Sequence, residues 1–189
     1  MPLNAHSVGC PGSDFDDLIA SVRSLTLEYG VFLLPINNNG DVELACGGSH
    51  WSLLVYVSWA PRRSRFWHVD SLRDSGNREL ANKIAHVITS VVGTTKRSGH
   101  AAEIEEALVL EIEGCARQRN EYDCGACVLE QCQRVATYFQ DIYHLPEAEK
   151  ATMIDPDVAG PLREILSTEF DSCLLRRKIR AKIESQQRV

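Results

Sequence analysis

The chain has 189 residues, 44% of them hydrophobic and 24% charged, with 12 Gly and 7 Pro. This balance excludes collagen, a coiled-coil rod and a largely disordered chain, and the length is that of a single domain spanning residues 1–189. With 20 Lys+Arg against 26 Asp+Glu the net charge is -6, which argues against nucleic acid as the main partner.

Ser13 with Asp16 makes a helix start, followed by Leu18, Ile19, Val22, Leu25 and Leu27 at roughly helical spacing, and Gly30 ends that helix. Val31-Phe32-Leu33-Leu34-Pro35-Ile36 reads as a buried strand, and Asn37-Asn38-Asn39-Gly40 as its turn. Residues 51–58 and 65–70 read as two strands joined by a turn around Ala60-Pro61. Over residues 77–92, Leu80, Ile84, Val87, Ile88 and Val91 share one face of an amphipathic helix. Residues 107–112 read as a further strand. From Asp123 the spacing of Val128, Leu129, Cys132, Val135 and Phe139 returns to the helical period, and more helix follows Pro146 and Pro161. Helices around a central mixed sheet define an α+β class.

No stretch reaches the roughly 18 apolar residues of a membrane span. Residues 1–10 carry no basic region leading into an apolar run, so no membrane and no secretory signal are expected. The 7 cysteines, without such a leader, point to a reducing compartment and free thiols. The basic run Arg176-Arg177-Lys178-Ile179-Arg180 reads as a solvated helix face rather than a nucleic-acid patch.

Reactive polar residues stand at the edges of three elements. Gly47-Gly48-Ser49-His50-Trp51 leads into a strand, where a histidine is held rigidly and two glycines let the preceding backbone approach a ligand. Asp70 follows the strand Phe66-Trp67-His68-Val69. Gln118-Arg119-Asn120-Glu121-Tyr122-Asp123-Cys124-Gly125 is a polar loop running into a helix. Cys124 then sits at a helix N-terminus, where unsatisfied N–H groups and the macrodipole favour a thiolate. His50 can act as its base, Asp70 as the group that orients the base, and Gln118 as an amide donor for an oxyanion. Taken singly, each has an ordinary explanation: a structural histidine, a turn aspartate, a small buried cysteine. The ordered set carries the reading.

That set resembles the ubiquitin-like-modifier cysteine proteases, the sentrin-specific protease family. The resemblance lies in His50-Trp51-Ser52-Leu53-Leu54-Val55-Tyr56, Asp70-Ser71, Gln118 and Asp123-Cys124-Gly125. With Leu34-Pro35-Ile36-Asn37 and the Gly47-Gly48 lead-in, the likeness is to the deneddylase branch, and it covers residues 31–139 well. It implies a papain-like fold with permuted element order, in which His precedes Asp and Cys comes last. It further implies His50 as general base, Asp70 as its orienter and Cys124 as nucleophile, with Gln118 and the Cys124 N–H forming the oxyanion hole. Cleavage would follow a C-terminal Gly-Gly threaded through a narrow tunnel, with Trp51 as a lid and Gly47 and Gly48 on the substrate path. The expected partner is a ubiquitin-like modifier (the neddylation modifier or SUMO) and its conjugates, met by a cytoplasmic or nuclear monomer with no cofactor and no metal.

The chain departs from that family at three points. A Trp-Leu-Asn-Asp-like motif of the family's N-terminal segment has no match before Val31, so that segment is expected to be incomplete. Cys127 stands where an aromatic is usual. The interval from His50 to Asp70 is slightly long, which is assigned to the Ala60-Pro61-Arg62-Arg63 turn. Cys127 also completes a Cys-x-x-Cys pair with Cys124, raising a dithiol oxidoreductase as an alternative, or reversible oxidation of the pair as a brake. An oxidoreductase has no use for His50, Asp70 and Gln118. A zinc site from Cys115, Cys124, Cys127 and Cys132 lacks paired knuckles. A same-clan acetyltransferase and a non-catalytic modifier binder complete the alternatives.

Overall fold

A computed structural model describes residues 30–41, 47–57, 65–72, 75–93, 109–146, 149 and 159–186. Their elements are β1 (Val31–Asn37), β2 (Trp51–Val57), β3 (Arg65–Val69), α1 (Asn77–Gly93), β4 (Val109–Glu111), α2 (Cys124–Tyr143), α3 (Ala159–Ser167) and α4 (Ser172–Gln186). The helix read from Ser13 and the turn around Ala60-Pro61 lie outside the described residues.

The sheet runs in the order β1-β2-β3-β4, antiparallel across the first two pairings and parallel between β3 and β4. It is the mixed sheet of an α+β fold, with helices on both faces. Alternation along β2 sets the layers. Leu53, Val55 and Val57 pack with Val128, Val135, Phe139 and Ile142 of α2 and with Leu162 and Leu166 of α3. Leu54 and Tyr56 point the other way, among Ala81, Ile84, Ala85 and Ile88 of α1. A strand buried on both faces has no need to alternate polar with apolar, which explains the uninterrupted Leu53-Leu54-Val55-Tyr56-Val57 run. Each such buried side chain contributes about 1.5–3 kcal/mol.

β1 departs from the expectation of a buried strand: only Ile36 is fully buried and its other residues are partly exposed. Among the described residues β1 is the sheet's edge, bonded to β2 alone. Pro35, which cannot donate to a ladder, is tolerated in such a place.

Two features of this topology converge on one end of the sheet. With Leu53 opposite Val69, the start of β2 lies beside the end of β3. The chain leaving β4 passes under that end, through Ile112 N–H to His68 O at 2.9 Å and Cys115 Sγ to Asp70 O at 2.9 Å, and then enters α2.

Candidate active site

His50 immediately precedes β2 and is 2% exposed. Its backbone is held by the turn after β1. Asn38 Oδ1 accepts the Ser49 and His50 N–H groups at 2.7 and 2.9 Å, and Asn38 N–H donates to His50 O at 3.2 Å. Asn38 Nδ2 donates to Ser49 Oγ at 3.0 Å. Gly47 and Gly48 complete this clasp. Gly48 has φ +82°, and a Cβ on either glycine would collide with the side chains of Asn39 or Asn37. The close approach that the glycine pair permits is therefore made by the chain's own asparagines.

The His50 ring is fixed by Asp70, with Nε2 at 2.6 Å from Oδ1. Asp70 also accepts from the Leu72 N–H at 2.8 Å and from the Ser75 hydroxyl. Burial alone would push the Asp70 carboxyl up. The hydrogen bonds from His50, Ser75 and Leu72, with the charge of His50, outweigh it and hold the group below the usual carboxylate value. His50 Nδ1 is buried and has no hydrogen-bond partner among the described residues. An imidazole held this way has one nitrogen engaged and one left to exchange a proton.

Ser71 joins the strand end to the loop before α2. Its hydroxyl donates to Gln118 Oε1 at 2.9 Å, and the Gln118 N–H reaches Ser71 O at 3.4 Å. Gln118 Nε2 donates one hydrogen to Asn120 O at 2.8 Å, and an amide nitrogen has a second to give. Ser71 is also near enough to Cys127, in the first turn of α2, to act on its thiol, so the head of that helix lies by the end of β3. Cys124 is the first residue of α2 and is buried. Trp51, partly buried, packs against the cluster shared by β2 and α2.

Cys115, Cys124, Cys127 and Cys132 are buried or partly buried free thiols and Cys173 is an exposed one. Burial pushes the Cys127 thiol up to about 11, against a smaller opposing effect of Ser71. A protonated thiol is a poor nucleophile, so Cys127 is ill suited to the Cys-x-x-Cys chemistry that its spacing raised.

The structure thus joins His50 to Asp70 directly, and sets Gln118 and the head of α2 against the neighbouring Ser71. In the sequence Asn38 reads only as a turn residue and Ser71 only as part of the Asp70-Ser71 likeness, and Ser75 is not singled out. An asparagine run after a strand is the signal for Asn38, since such side chains bond nearby backbone. For Ser71 and Ser75 the signal is only that they follow Asp70 within a polar stretch.

The family described as "Ulp1 protease family, C-terminal catalytic domain" matches residues 24–169. NEDD8-specific protease 1 of Arabidopsis thaliana is 30% identical over 131 residues, covering 69% of this chain and 51% of that protein. Sentrin-specific protease 8 of Homo sapiens is 33% identical over 99 residues, covering 52% of this chain and 40% of that protein. The matched stretches span about half the length of these relatives or less. Among solved structures, a Xanthomonas XopD mutant superposes with TM-score 0.56 at 20% identity, over 94% of this chain and 79% of that one. This last likeness is one of fold.

Proposed function

The chain belongs to the Ulp1 protease family, and from that membership we propose that it is a thiol isopeptidase cleaving after the C-terminal Gly-Gly of a ubiquitin-like modifier, the neddylation modifier by preference. The observation that carries the proposal is the state of His50, whose Nε2 is pinned by Asp70 while Nδ1 is buried and unpartnered among the described residues. The name of the Arabidopsis relative, NEDD8-specific protease 1, supports the choice of modifier; a cytoplasmic or nuclear site of action belongs to the same proposal.

In this reaction Cys124 gives its proton to His50 Nδ1 and attacks the carbonyl of the last glycine. The negative charge that develops on the carbonyl oxygen is received by the second Gln118 Nε2–H and the Cys124 N–H. His50, now an imidazolium steadied by Asp70, protonates the departing lysine amine. Water, deprotonated by the same nitrogen, then hydrolyses the thioester. Trp51, next to His50, roofs the approach, and a Gly-Gly tail fits a slot too narrow for side chains.

The test is a panel of ubiquitin, the neddylation modifier and SUMO, each bearing a C-terminal coumarin amide, with wild type and Cys124→Ala. Release from the neddylation modifier, abolished in folded Cys124→Ala, is the expected result. Turnover retained in that variant would overturn the mechanism. Release from SUMO alone would move the preference to that modifier, and silence across the panel would favour the acetyltransferase or binder.

A further inference from the structure

α4 has no fully buried residue, and of its apolar side chains Leu175 and Ile179 are partly buried. Two of its polar side chains converge on the residue preceding Cys124. Ser172 Oγ donates to Asp123 Oδ2 at 2.6 Å, and Arg176 Nη2 lies 2.5 Å from Asp123 Oδ1. The same Arg176 nitrogen donates to Tyr122 O at 2.5 Å, and its guanidinium stacks 5.1 Å from the Tyr122 ring centroid. From within the loop, Asn120 Nδ2 donates to Asp123 Oδ2 at 2.6 Å. Of the run read as a solvated basic face, Arg176 is therefore engaged with the loop that leads into α2.

Asp123 is the N-cap of α2. An aspartate there ordinarily accepts the N–H of the second or third helical residue, but the Asp123 side chain makes no such bond. It is turned toward α4 and is only 3% exposed. Burial would push its carboxyl up, but the hydrogen bonds from Ser172 and Asn120 and the charge of Arg176 hold it below the usual carboxylate value. Folded back onto the helix, that carboxylate would occupy N–H groups at the head of α2 and set a negative charge beside Cys124. Both changes oppose the formation of an anion there.

We propose that Ser172 and Arg176 are positioning residues for the nucleophile: they draw the Asp123 carboxylate off the head of α2 and neutralise it. The donors there then stay available to an oxyanion, and no unpaired carboxylate faces the Cys124 sulfur. This rests on the reading of Cys124 as nucleophile. Among the described residues, the charges of Asp123, Cys124 and Cys115 act on Cys127, Asp123 is paired with Arg176, and Glu121 and Tyr122 stand in the loop just before them. Arg119 is committed elsewhere, to Glu169 at 2.5 Å.

The experiment is the pH dependence of Cys124 alkylation by iodoacetamide, followed peptide by peptide with mass spectrometry. Wild type is compared with Arg176→Ala, Arg176→Lys and the double variant Asp123→Asn/Arg176→Ala. In Arg176→Ala the midpoint of alkylation should rise by about 1 pH unit, as expected for a carboxylate left facing a thiolate, with a rate at pH 7 about tenfold lower. Arg176→Lys should restore part of the shift and the double variant nearly all of it, because the carboxylate itself is gone. A merely structural contact would leave the midpoint unmoved or the double variant unrescued, and either result overturns the proposal. If Arg176→Ala does not fold, Ser172→Ala removes one of the contacts and should give a smaller shift of the same sign, whose absence overturns it equally. Alkylation requires no modifier, so a silent substrate panel beside an intact Arg176 effect would count against the proposed activity alone.

Discussion

Two histidines lie buried in this sheet, each against a carboxylate, and they are built for different purposes. His68, 1% exposed, has both ring nitrogens occupied: Nδ1 contacts Glu111 at 2.8 and 3.0 Å, and Nε2 contacts Ser52 Oγ at 2.9 Å. Asn77 Nδ2 donates to the same Ser52 hydroxyl at 3.0 Å, closing a network between sheet and helix. His50, equally buried, is satisfied on one side only among the described residues. Leaving a buried polar atom without a partner costs about 1–3 kcal/mol, and the fold tolerates that cost at the nitrogen to which the proposed mechanism assigns a proton. A histidine beside an acid is thus no mark of catalysis; a histidine with one idle nitrogen is a better one.

The largest expected effect separates the two directly. His50→Ala should lower kcat/KM by about 10²–10⁴-fold, the usual worth of a positioned base, with thermal stability nearly kept. His68→Ala should do the reverse, retaining turnover per folded molecule while stability falls by about 1–3 kcal/mol, as partners in a buried network are stranded. Similar losses of activity in both variants would dissolve the distinction. Next come the carboxylates. Asp70→Asn keeps the shape but not the charge that steadies an imidazolium, and should cost about 10²-fold or more in kcat. Glu111→Gln, at a partly exposed group, should change urea stability by about 1 kcal/mol and kcat hardly at all.

Ser71→Ala, which unties Gln118 without touching the substrate, should lower kcat about tenfold with KM unchanged, equivalent to about 1.4 kcal/mol of barrier. An increase in KM instead would place Ser71 on the binding path.

The smallest effects are those of pH on stability. Asp70 and Asp123 titrate below their ordinary range in the folded chain, so the unfolded chain takes up protons first. Their stabilisation is present above the ordinary carboxylate value and should be lost as pH falls below about 4. Burial pushes the Cys127 and Cys132 thiols up to about 11, so the unfolded chain releases those protons first. Their contribution is complete below about 8.5 and should fade as pH rises from about 9 toward 11. Urea midpoints across this range check both limbs, and a flat profile from pH 7 to 11 would remove the buried-thiol contribution.

What could be read from the residues and what could not divides along the range of the interactions. β2, β3, α1 and α2 were legible because the apolar pattern of each is set by the face it buries, and the pairing of His50 with Asp70 was legible from their places at two strand ends. The edge position of β1 was not, because Val31-Phe32-Leu33-Leu34 looks alike on an edge and in a core. That Gly47 and Gly48 approach Asn39 and Asn37 was not legible for a related reason: a glycine announces a close approach without saying to what. Asn38 reaches His50, and Arg176 reaches Asp123, across long stretches of chain. Contacts of that kind follow from the completed fold rather than from any local pattern.

The Asn38 clasp has a bearing on what keeps two strand ends aligned. In a hairpin the turn ordinarily sets the register of its strands. Here one asparagine grips both sides through the backbone of Ser49 and His50, so the register at the histidine is held by a side chain rather than by the turn alone. Loss of that one amide, as in Asn38→Ala, would therefore loosen the alignment of the two strand ends at His50 without altering either strand.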